Sequence, residues 1–311
     1  LRTIARISSL LSMASIFFSM ASLSMHDRLP PTPAIPDSAR IFPEGSCDTH
    51  FHVFGDAREF PLIDERSYTP APASMADYWA AFGPLGVERC VLVQPSVYGR
   101  DHSLLKRTLR EAAPGSMRGV AVIFEDTSER EIEELHALGV RGARCNALFS
   151  GGVSATSMRA IADRIATFGW HLQLLVDVEH DPDLVPRVAA TGLQVVVDHF
   201  GHPAPGATPQ GRGLANLRAL LAEERAWVKF SGAYRLSASA CATDPAVIPL
   251  AHALARANPE RILWGSDWPH PGIDARSTAS SELAGALRGW LPDGDLRQVL
   301  VRNPTQLYWN H

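Results

Sequence analysis

The sequence predicts a (β/α)8 barrel, also called a TIM barrel, because three features of the chain agree on that fold. Eight short apolar segments typical of strands recur after residue 45, and longer segments with helical spacing separate them. Some strand candidates, such as 90–93 and 195–197, are continuously apolar, as expected for parallel strands buried on both faces. The roughly 265 residues from 46 to 311 match the size of eight β-α units.

The strand candidates follow one another at regular intervals along the chain. They begin near Cys47–Phe54, Arg89–Gln94, Arg118–Ile123, Gly142–Asn146, His171–Val176, Leu193–Asp198, Trp227–Phe230 and Arg261–Gly265. Between them lie amphipathic segments such as 128–138, which begins with a capping-like Ser128 and ends before Gly139. A doubly wound open sheet is the alternative, but it would need a glycine-rich first turn, and the first turn here carries histidines.

The domain organisation is predicted from a change in composition near residue 45. Residues 46–311 are expected to form a single barrel domain, and residues 1–45 an extension outside it. Residues 1–24 combine two arginines with an apolar run that resembles a signal peptide, but the cleavage region is weak. Met25 looks like a natural start, so we favour an over-extended reading frame over a secretory signal. Residues 25–45 are Pro-rich and polar, with little core potential.

Bulk composition excludes several classes of protein. The 311 residues are 46% hydrophobic and 20% charged with a net charge of −4, so neither nucleic-acid binding nor a membrane span is indicated. The four cysteines are widely spaced without a C-x-x-C pair, which predicts reduced thiols and a cytoplasmic location. Assembly into a homo-oligomer stays open at this point.

The first strand candidate carries the strongest functional signal. Asp48, His50 and His52 alternate along it, and alternate residues of a strand point to the same face. Three ionisable groups on one buried face are costly unless they perform chemistry or hold a metal. A satisfied core histidine pair is the less favoured interpretation.

Polar residues also follow the other strands, at the end where barrel enzymes carry their active sites. Counting the histidines of the first strand, histidine, arginine or aspartate ends five of the predicted strands, which turns alone do not explain. On the later strands these residues are Arg141, Arg144, His199, Arg235, Asp267 and His270, and Ser96 ends the second strand.

These motifs together resemble the amidohydrolase superfamily, and within it the branch of 2-pyrone-4,6-dicarboxylate hydrolases and related lactonases. The H-x-H pair alone is weak, but the ordered set spans about 260 residues, comparable with a whole barrel. The matching segments are DTHFHVFG (48–55), YTP (68–70), GVRGARCN (139–146), GWH (169–171), VDHFG (197–201), LWGSDWPHP (263–271) and NP (303–304).

The resemblance implies a role for each of these side chains. Asp267 would be the general base that activates a water, and His50, His52 and His199 would stabilise the negative charge on the carbonyl oxygen. Guanidinium groups pair well with substrate carboxylates. The expected substrate-binding residues are Arg144, Arg141, Arg235, Tyr68, Ser96 and His270.

Some of these assignments compete with simpler interpretations. Arg141 precedes its strand and could equally be a surface ion-pair residue, so Arg144 is the favoured carboxylate ligand. Asp267 could merely cap the following turn. The chain also departs from the family pattern at Leu175 and Gly272, which makes the reaction class better supported than the substrate.

The resemblance favours a site without a metal or other cofactor. The alternative is a single zinc or manganese ion held by His50, His52, His199 and Asp267, whose side chains are suitable ligands. A two-metal site is disfavoured because no histidine ends the fifth strand and no lysine lies on the fourth.

The predicted function is therefore an intracellular lactone hydrolase. Its expected partner is a small anionic lactone, carboxylated or sulfonated, such as 2-pyrone-4,6-dicarboxylate or a muconolactone-type ring. The alternatives are a mononuclear metal-dependent hydrolase or decarboxylase, a sugar-acid lactone isomerase or lactonase, and a barrel that binds a small anion without turnover.

Overall fold

The chain forms a single eight-stranded parallel sheet whose strands lie in chain order, with helices between them. The computed structural model describes residues 40–148 and 157–310. The (β/α)8 barrel predicted from the sequence is confirmed. Residues 1–39, most of the predicted extension, and the loop at 149–152 after the fourth strand lie outside the described residues.

All eight predicted strands are present, with bounds shifted by up to a few residues. The strands are β1 Ser46–Phe51, β2 Val87–Val93, β3 Met117–Val122, β4 Val140–Asn146, β5 His171–Leu175, β6 Val195–Val197, β7 Ala226–Phe230 and β8 Ile262–Trp264. The helices are α1 Met75–Phe82, α2 Ser103–Glu111, α3 Glu129–Ala137, α4 Met158–Ile165, α5 Leu184–Ala189, α6 Arg212–Ala222, α7 Ile248–Ala257, α8 Ser280–Trp290 and α9 Asn303–Tyr308.

Hydrogen bonds between β1 and the segment after β8 close the barrel. The Asp267 amide donates to the His50 carbonyl, and the His52 amide donates to the Trp268 carbonyl, both at 2.8 Å. Gly265 lies at this seam, where an added Cβ would approach the His50 Cβ to 2.4 Å. Only glycine therefore permits this close approach of the first and last strands.

Apolar side chains fill one end of the barrel interior. They form a cluster with two residues of α9, Leu307 and Tyr308, which closes that end. The strand residues of this cluster are Cys47, Val91, Val93, Val120, Val196, Trp227 and Leu263. Because this end is packed, a ligand site has room only at the carboxyl ends of the strands.

The helix predicted over 128–138 shows how local sequence fixes the outer layer. Ser128 is the N-cap of α3, and its side chain accepts a hydrogen bond from the Glu131 amide. Ile132 and Leu135 are buried against the barrel, and Gly139 ends the helix with a φ of +98°. The capping, spacing and termination predicted from the sequence are all confirmed.

The folded part begins before the predicted boundary at residue 46. Phe42 is buried and packs against Trp264 with ring centroids 5.1 Å apart. Its amide donates to the Leu85 carbonyl at 2.9 Å. The end of the Pro-rich segment therefore contributes to the core.

Within 40–148 and 157–310, no helix has the length and apolar character that a membrane crossing needs.

Candidate active site

The carboxyl ends of the strands surround a cavity of about 170 Å³. Its walls combine imidazole, guanidinium, carboxylate and apolar side chains. They are His52, Ser67, Tyr68, Ser96, Arg144, Asn146, Leu175, His199, His202, Arg235, Asp267, Pro271, Gly272 and Ile273.

Three imidazole rings converge on the carboxylate of Asp267 at the floor of this cavity. The Nε2 atoms of His50 and His52 lie 3.7 Å and 3.5 Å from Asp267 Oδ1. His199 Nε2 lies 4.0 Å from Asp267 Oδ2. All four side chains are buried. The four groups that the sequence predicted to meet therefore lie together: His52, His199 and Asp267 line the cavity, and His50 is buried directly beside them.

The Nδ1 atom of each imidazole, on the side of the ring away from Asp267, contacts a polar group of the protein. His50 Nδ1 lies 3.2 Å from Asp198 Oδ1, and His52 Nδ1 lies 2.7 Å from the Val93 carbonyl. The Val93 carbonyl can only accept, so His52 carries its proton on Nδ1. His50 Nδ1 faces the Asp198 carboxylate at 3.2 Å and Lys229 Nζ at 3.5 Å, and the nearer acceptor favours the same tautomer. We therefore assign a lone pair to Nε2 of both rings. His199 Nδ1 lies 2.8 Å from the Ser231 hydroxyl, which can donate and leave a proton on Nε2.

The electrostatics of the site keep the imidazoles neutral and the carboxylate ionised. Burial lowers the pKa of His50 to about 4 and lowers the pKa of His52 and His199 as well. Burial raises the pKa of Asp267, but His199, Arg235 and His52 outweigh it and bring the pKa well below its usual range. At neutral pH the site therefore holds one charged acceptor among uncharged rings.

The two oxygens of Asp267 have different environments. Oδ2 accepts hydrogen bonds from the Tyr234 hydroxyl at 2.5 Å and from Arg235 Nε and Nη2 at 3.2 Å. Oδ1 faces His50 and His52 and has no hydrogen-bond donor among the described residues. One oxygen is thus fixed in place and the other remains available to a bound molecule.

The backbone at the site adopts a conformation that side chains normally avoid. His199 and Asp267 have φ values of 52° and 58°, in the left-handed region. Gly232 has a φ of +57°, and an added Cβ there would come within 2.8 Å of His199 Nδ1. Such strain is common at functional sites because surrounding contacts must enforce it.

A buried ion pair between Lys229 and Asp198 lies next to His50. Lys229, on β7, donates to the Thr49 carbonyl at 2.8 Å and to Gln173 Oε1 at 2.7 Å. Its Nζ lies 3.9 Å from Asp198 Oδ1, and burial lowers its pKa to about 8. The sequence analysis missed this lysine, although a lysine within an apolar strand was the available signal.

Comparison with known proteins agrees with this geometry. A family model described as amidohydrolase matches residues 47–309. The chain belongs to the amidohydrolase family. The family predicted from the sequence motifs is confirmed.

Three relatives of this amidohydrolase cover most of its length. A 2-pyrone-4,6-dicarboxylate hydrolase from Comamonas testosteroni is 34% identical over 86% of this chain and 91% of its own. A 4-sulfomuconolactone hydrolase from Rhizobium radiobacter is 33% identical over 86% and 90%. A D-galactarolactone isomerase from Agrobacterium fabrum is 30% identical over 86% and 92%. Two of these names denote lactone hydrolysis and one denotes lactone isomerisation.

Four of the predicted substrate-binding residues line the cavity of this amidohydrolase. They are Tyr68, Ser96, Arg144 and Arg235. Arg144 is 5% exposed and lies 3.8 Å from Asp198, and Arg235 pairs with Asp267. Leu175 and Gly272, the two positions that depart from the family pattern, also line the cavity.

Arg141 is a correction to the sequence analysis, because it does not line the cavity. It lies at the amino end of β4, and its Nη1 donates to the carbonyls of His136 and Val140. Because ligand sites of these barrels lie at the carboxyl ends of strands, its guanidinium is at the wrong end to bind substrate.

His270 is the second correction, since it too is absent from the cavity lining among the described residues. Its ring packs edge-on against Tyr234 with centroids 5.6 Å apart, and its amide donates to the Asp267 carbonyl at 2.7 Å. Burial lowers its pKa to about 4. His270 therefore supports Tyr234 and the turn that carries Asp267.

Asp48 is the third correction, because it does not join His50 and His52 on one face. Its carboxylate accepts hydrogen bonds from the Tyr78 hydroxyl on α1 and from the Ser266 amide, both at 3.0 Å. The pairing of β1 with β2 shifts register between Asp48 and Phe51, and such a shift breaks the alternation of a regular strand.

The same site has the ligand chemistry of a single divalent ion. His50, His52 and Asp267 each offer one ligand atom, and these atoms all lie within 4.8 Å of one another. Both histidines have their Nδ1 atoms held by acceptors, as metal-ligating histidines commonly do. The residues present therefore fit a zinc or manganese ion.

Proposed function

We propose that this amidohydrolase opens an anionic lactone by adding water to its ring carbonyl. The observation that carries the proposal is the convergence of His50, His52 and His199 on the Asp267 carboxylate, inside a cavity that also holds two arginines. The two relatives named as lactone hydrolases support it. The substrate class is a ring ester carrying a carboxylate or sulfonate.

The attacking water would bind between Asp267 and the two imidazoles of β1. Asp267 Oδ1 and the Nε2 atoms of His50 and His52 are all acceptors, so a water there donates its hydrogens and directs a lone pair outward. As the water oxygen bonds to the carbonyl carbon, one of its protons passes to Asp267. This role differs from the carbonyl contact expected for His50 and His52.

His199 would stabilise the charge that develops on the carbonyl oxygen. With Ser231 donating to its Nδ1, its Nε2 carries a proton that can be donated to an oxyanion. The acyl carbon–oxygen bond of the ring then breaks, and the leaving alkoxide or enolate takes up the proton held by Asp267. The leaving group stays attached, so a single addition of water opens the ring.

Our proposal keeps the site free of metal, as expected from the sequence. The negative charge of Asp267 is already balanced by Arg235 at 3.2 Å, which reduces the need for a cation. If an ion were resident, His50, His52 and Asp267 would hold it, and it would supply polarisation of the carbonyl. Metal analysis of protein purified without chelator, with turnover measured before and after chelation, tests this part directly.

The test of the function is turnover on a panel of carboxylated and sulfonated lactones. We expect ring opening of at least one member at a rate that enzymes typically reach, about 1 s⁻¹ or more. The panel would include a sugar-acid lactone, because one relative is named as an isomerase. A transposed lactone ring in place of a hydroxy acid would show isomerisation and contradict the proposal.

A cytoplasmic location is proposed from the state of the cysteines. Cys47, Cys90 and Cys145 are buried as free thiols, and Cys241 is also unpaired among the described residues. Free thiols persist in reducing compartments. Assembly into a homo-oligomer is a separate prediction that size-exclusion chromatography with light scattering would check.

A further inference from the structure

The charge balance of the cavity carries information about the substrate. Two of its lining residues are cations, Arg144 and Arg235, and one is an anion, Asp267, which leaves one net positive charge. The ring contacts of His52 with the Val93 carbonyl and of His199 with the Ser231 hydroxyl suit neutral imidazoles, which add no charge to this balance.

Arg235 is already committed to Asp267. Its Nε and Nη2 atoms donate to Asp267 Oδ2, and Nη2 also donates to the Tyr234 hydroxyl and the Pro271 carbonyl. The Asp267 carboxylate already balances the charge of this guanidinium, so a substrate anion at the remaining nitrogen, Nη1, would also lie near a negative group. The main role of Arg235 is therefore to position the Asp267 carboxylate, and its attraction for a substrate anion is weak.

Arg144 is the cation that remains for a ligand. Its Nη1 donates to the Gln94 carbonyl at 3.2 Å, while Nε has no hydrogen-bond partner among the described residues. The nearest carboxylate to Nε is Asp198, at 3.8 Å, and Asp198 is also shared with Lys229 and His50. A buried guanidinium with an unsatisfied donor is a built site for one carboxylate.

Among the described residues that line the cavity, Arg144 and Arg235 are the cations, and Ser67, Tyr68, Ser96 and Asn146 add only uncharged donors. Leu175, Pro271 and Ile273 form apolar parts of the wall. Ile273 is 39% exposed and is the large apolar side chain that stays exposed within the described part of the chain. The sequence from 149 to 156 contains no lysine, arginine or histidine that could add a cation. A second charged group would therefore be buried without a cation of its own.

We infer that the substrate of this amidohydrolase is a lactone with a single anionic group, held by Arg144, and an uncharged remainder that contacts Leu175 and Ile273. This inference rests on the proposed function and narrows it. It separates this chain from a 2-pyrone-4,6-dicarboxylate hydrolase, whose named substrate carries two carboxylates.

Two matched pairs of lactones test the inference, with kcat/KM compared at constant ionic strength. The first pair is 2-pyrone-6-carboxylate and 2-pyrone-4,6-dicarboxylate, and the second is muconolactone and 4-sulfomuconolactone. We expect the singly charged member to be preferred by about 10-fold or more, because the second anion has no partner. Equal or better turnover of the doubly charged members would overturn the inference and leave the proposed function standing. No ring opening in either pair would overturn both.

A variant at the apolar wall gives an independent test. Ile273→Arg supplies the missing cation, so the ratio of kcat/KM for the doubly charged over the singly charged member should rise by about 10-fold. Ile273→Gln is the matched control, since it is polar and uncharged, and should leave that ratio near the wild-type value. An unchanged ratio in a correctly folded Ile273→Arg protein, checked by circular dichroism, would contradict the inference.

Discussion

At the residue scale, the chemistry depends on the unequal treatment of the two oxygens of Asp267. Tyr234 and Arg235 bind Oδ2 and thereby fix the carboxylate plane. Oδ1 is left facing His50 and His52, whose lone pairs also point to it. Such a carboxylate is oriented by one oxygen and can accept a proton from water through the other.

Replacing the base should remove most of the catalysis. Asp267→Asn keeps the shape of the side chain but cannot take a proton, so kcat should fall by about 10²- to 10⁴-fold. Steady-state kinetics on an accepted lactone would measure this. Tyr234→Phe is the control: it keeps the base and loses one hydrogen bond to Oδ2, so its loss should be much smaller. Equal losses in both variants would contradict the role of Asp267.

The dependence of activity on pH follows from the same groups. His50 must be neutral to accept a hydrogen bond from water, and burial lowers its pKa to about 4. Asp267 is ionised above a pKa well below its usual range. The acid limb of log kcat/KM should therefore stay flat through the ordinary histidine value of about 6.5 and fall only near pH 4. A half-maximal point near pH 6.5 would contradict this prediction.

At the element scale, the alternation of strands and helices could be predicted because the hydrophobic pattern and the capping residues are features of the local sequence. The details of β1 could not, because a register shift depends on its pairing with β2 and moved Asp48 to a different face. Arg141 and Arg144 lie three residues apart on β4, so they differ both in the face to which they point and in their position along the barrel axis. Lys229 was overlooked because its partners come from β1, β5 and β6.

The ion pair between β6 and β7 gives a prediction about stability. Lys229→Met removes one of the two cations that face the buried Asp198 carboxylate and leaves Arg144 at 3.8 Å, which should cost about 3 kcal/mol of unfolding free energy. The double variant with Asp198→Asn should lose less than the sum of the two single variants, because the unpaired charge is gone.

Urea unfolding would measure the three proteins of this cycle. Arg107→Met is the control, because Arg107 is 51% exposed and pairs at the surface with Glu59 and Glu111. Its loss should be about 1 kcal/mol or less, as for other exposed pairs. Strict additivity of the Lys229 and Asp198 losses would show that the two residues do not act as a pair.

At the scale of the whole molecule, the two ends of the barrel differ in their role: one stabilises the fold and the other holds the candidate active site. One end is packed with apolar side chains and closed by α9, and the other holds the cavity with its arginines and imidazoles. The order of strands let the sequence predict that His50, His52, His199 and Asp267 would meet. It could not predict the supporting contacts of Tyr234 and Ser231, because those depend on how the loops fold over the site.

The most direct measurement is the fate of solvent oxygen during turnover in H₂¹⁸O. Hydrolysis by acyl–oxygen cleavage places one ¹⁸O atom in the new carboxylate of each ring-opened product, which mass spectrometry detects as a shift of about 2 Da per turnover. Wild-type protein should show that incorporation, and Asp267→Asn should form the labelled product about 10²- to 10⁴-fold more slowly. A product formed without solvent oxygen would contradict water attack at this site.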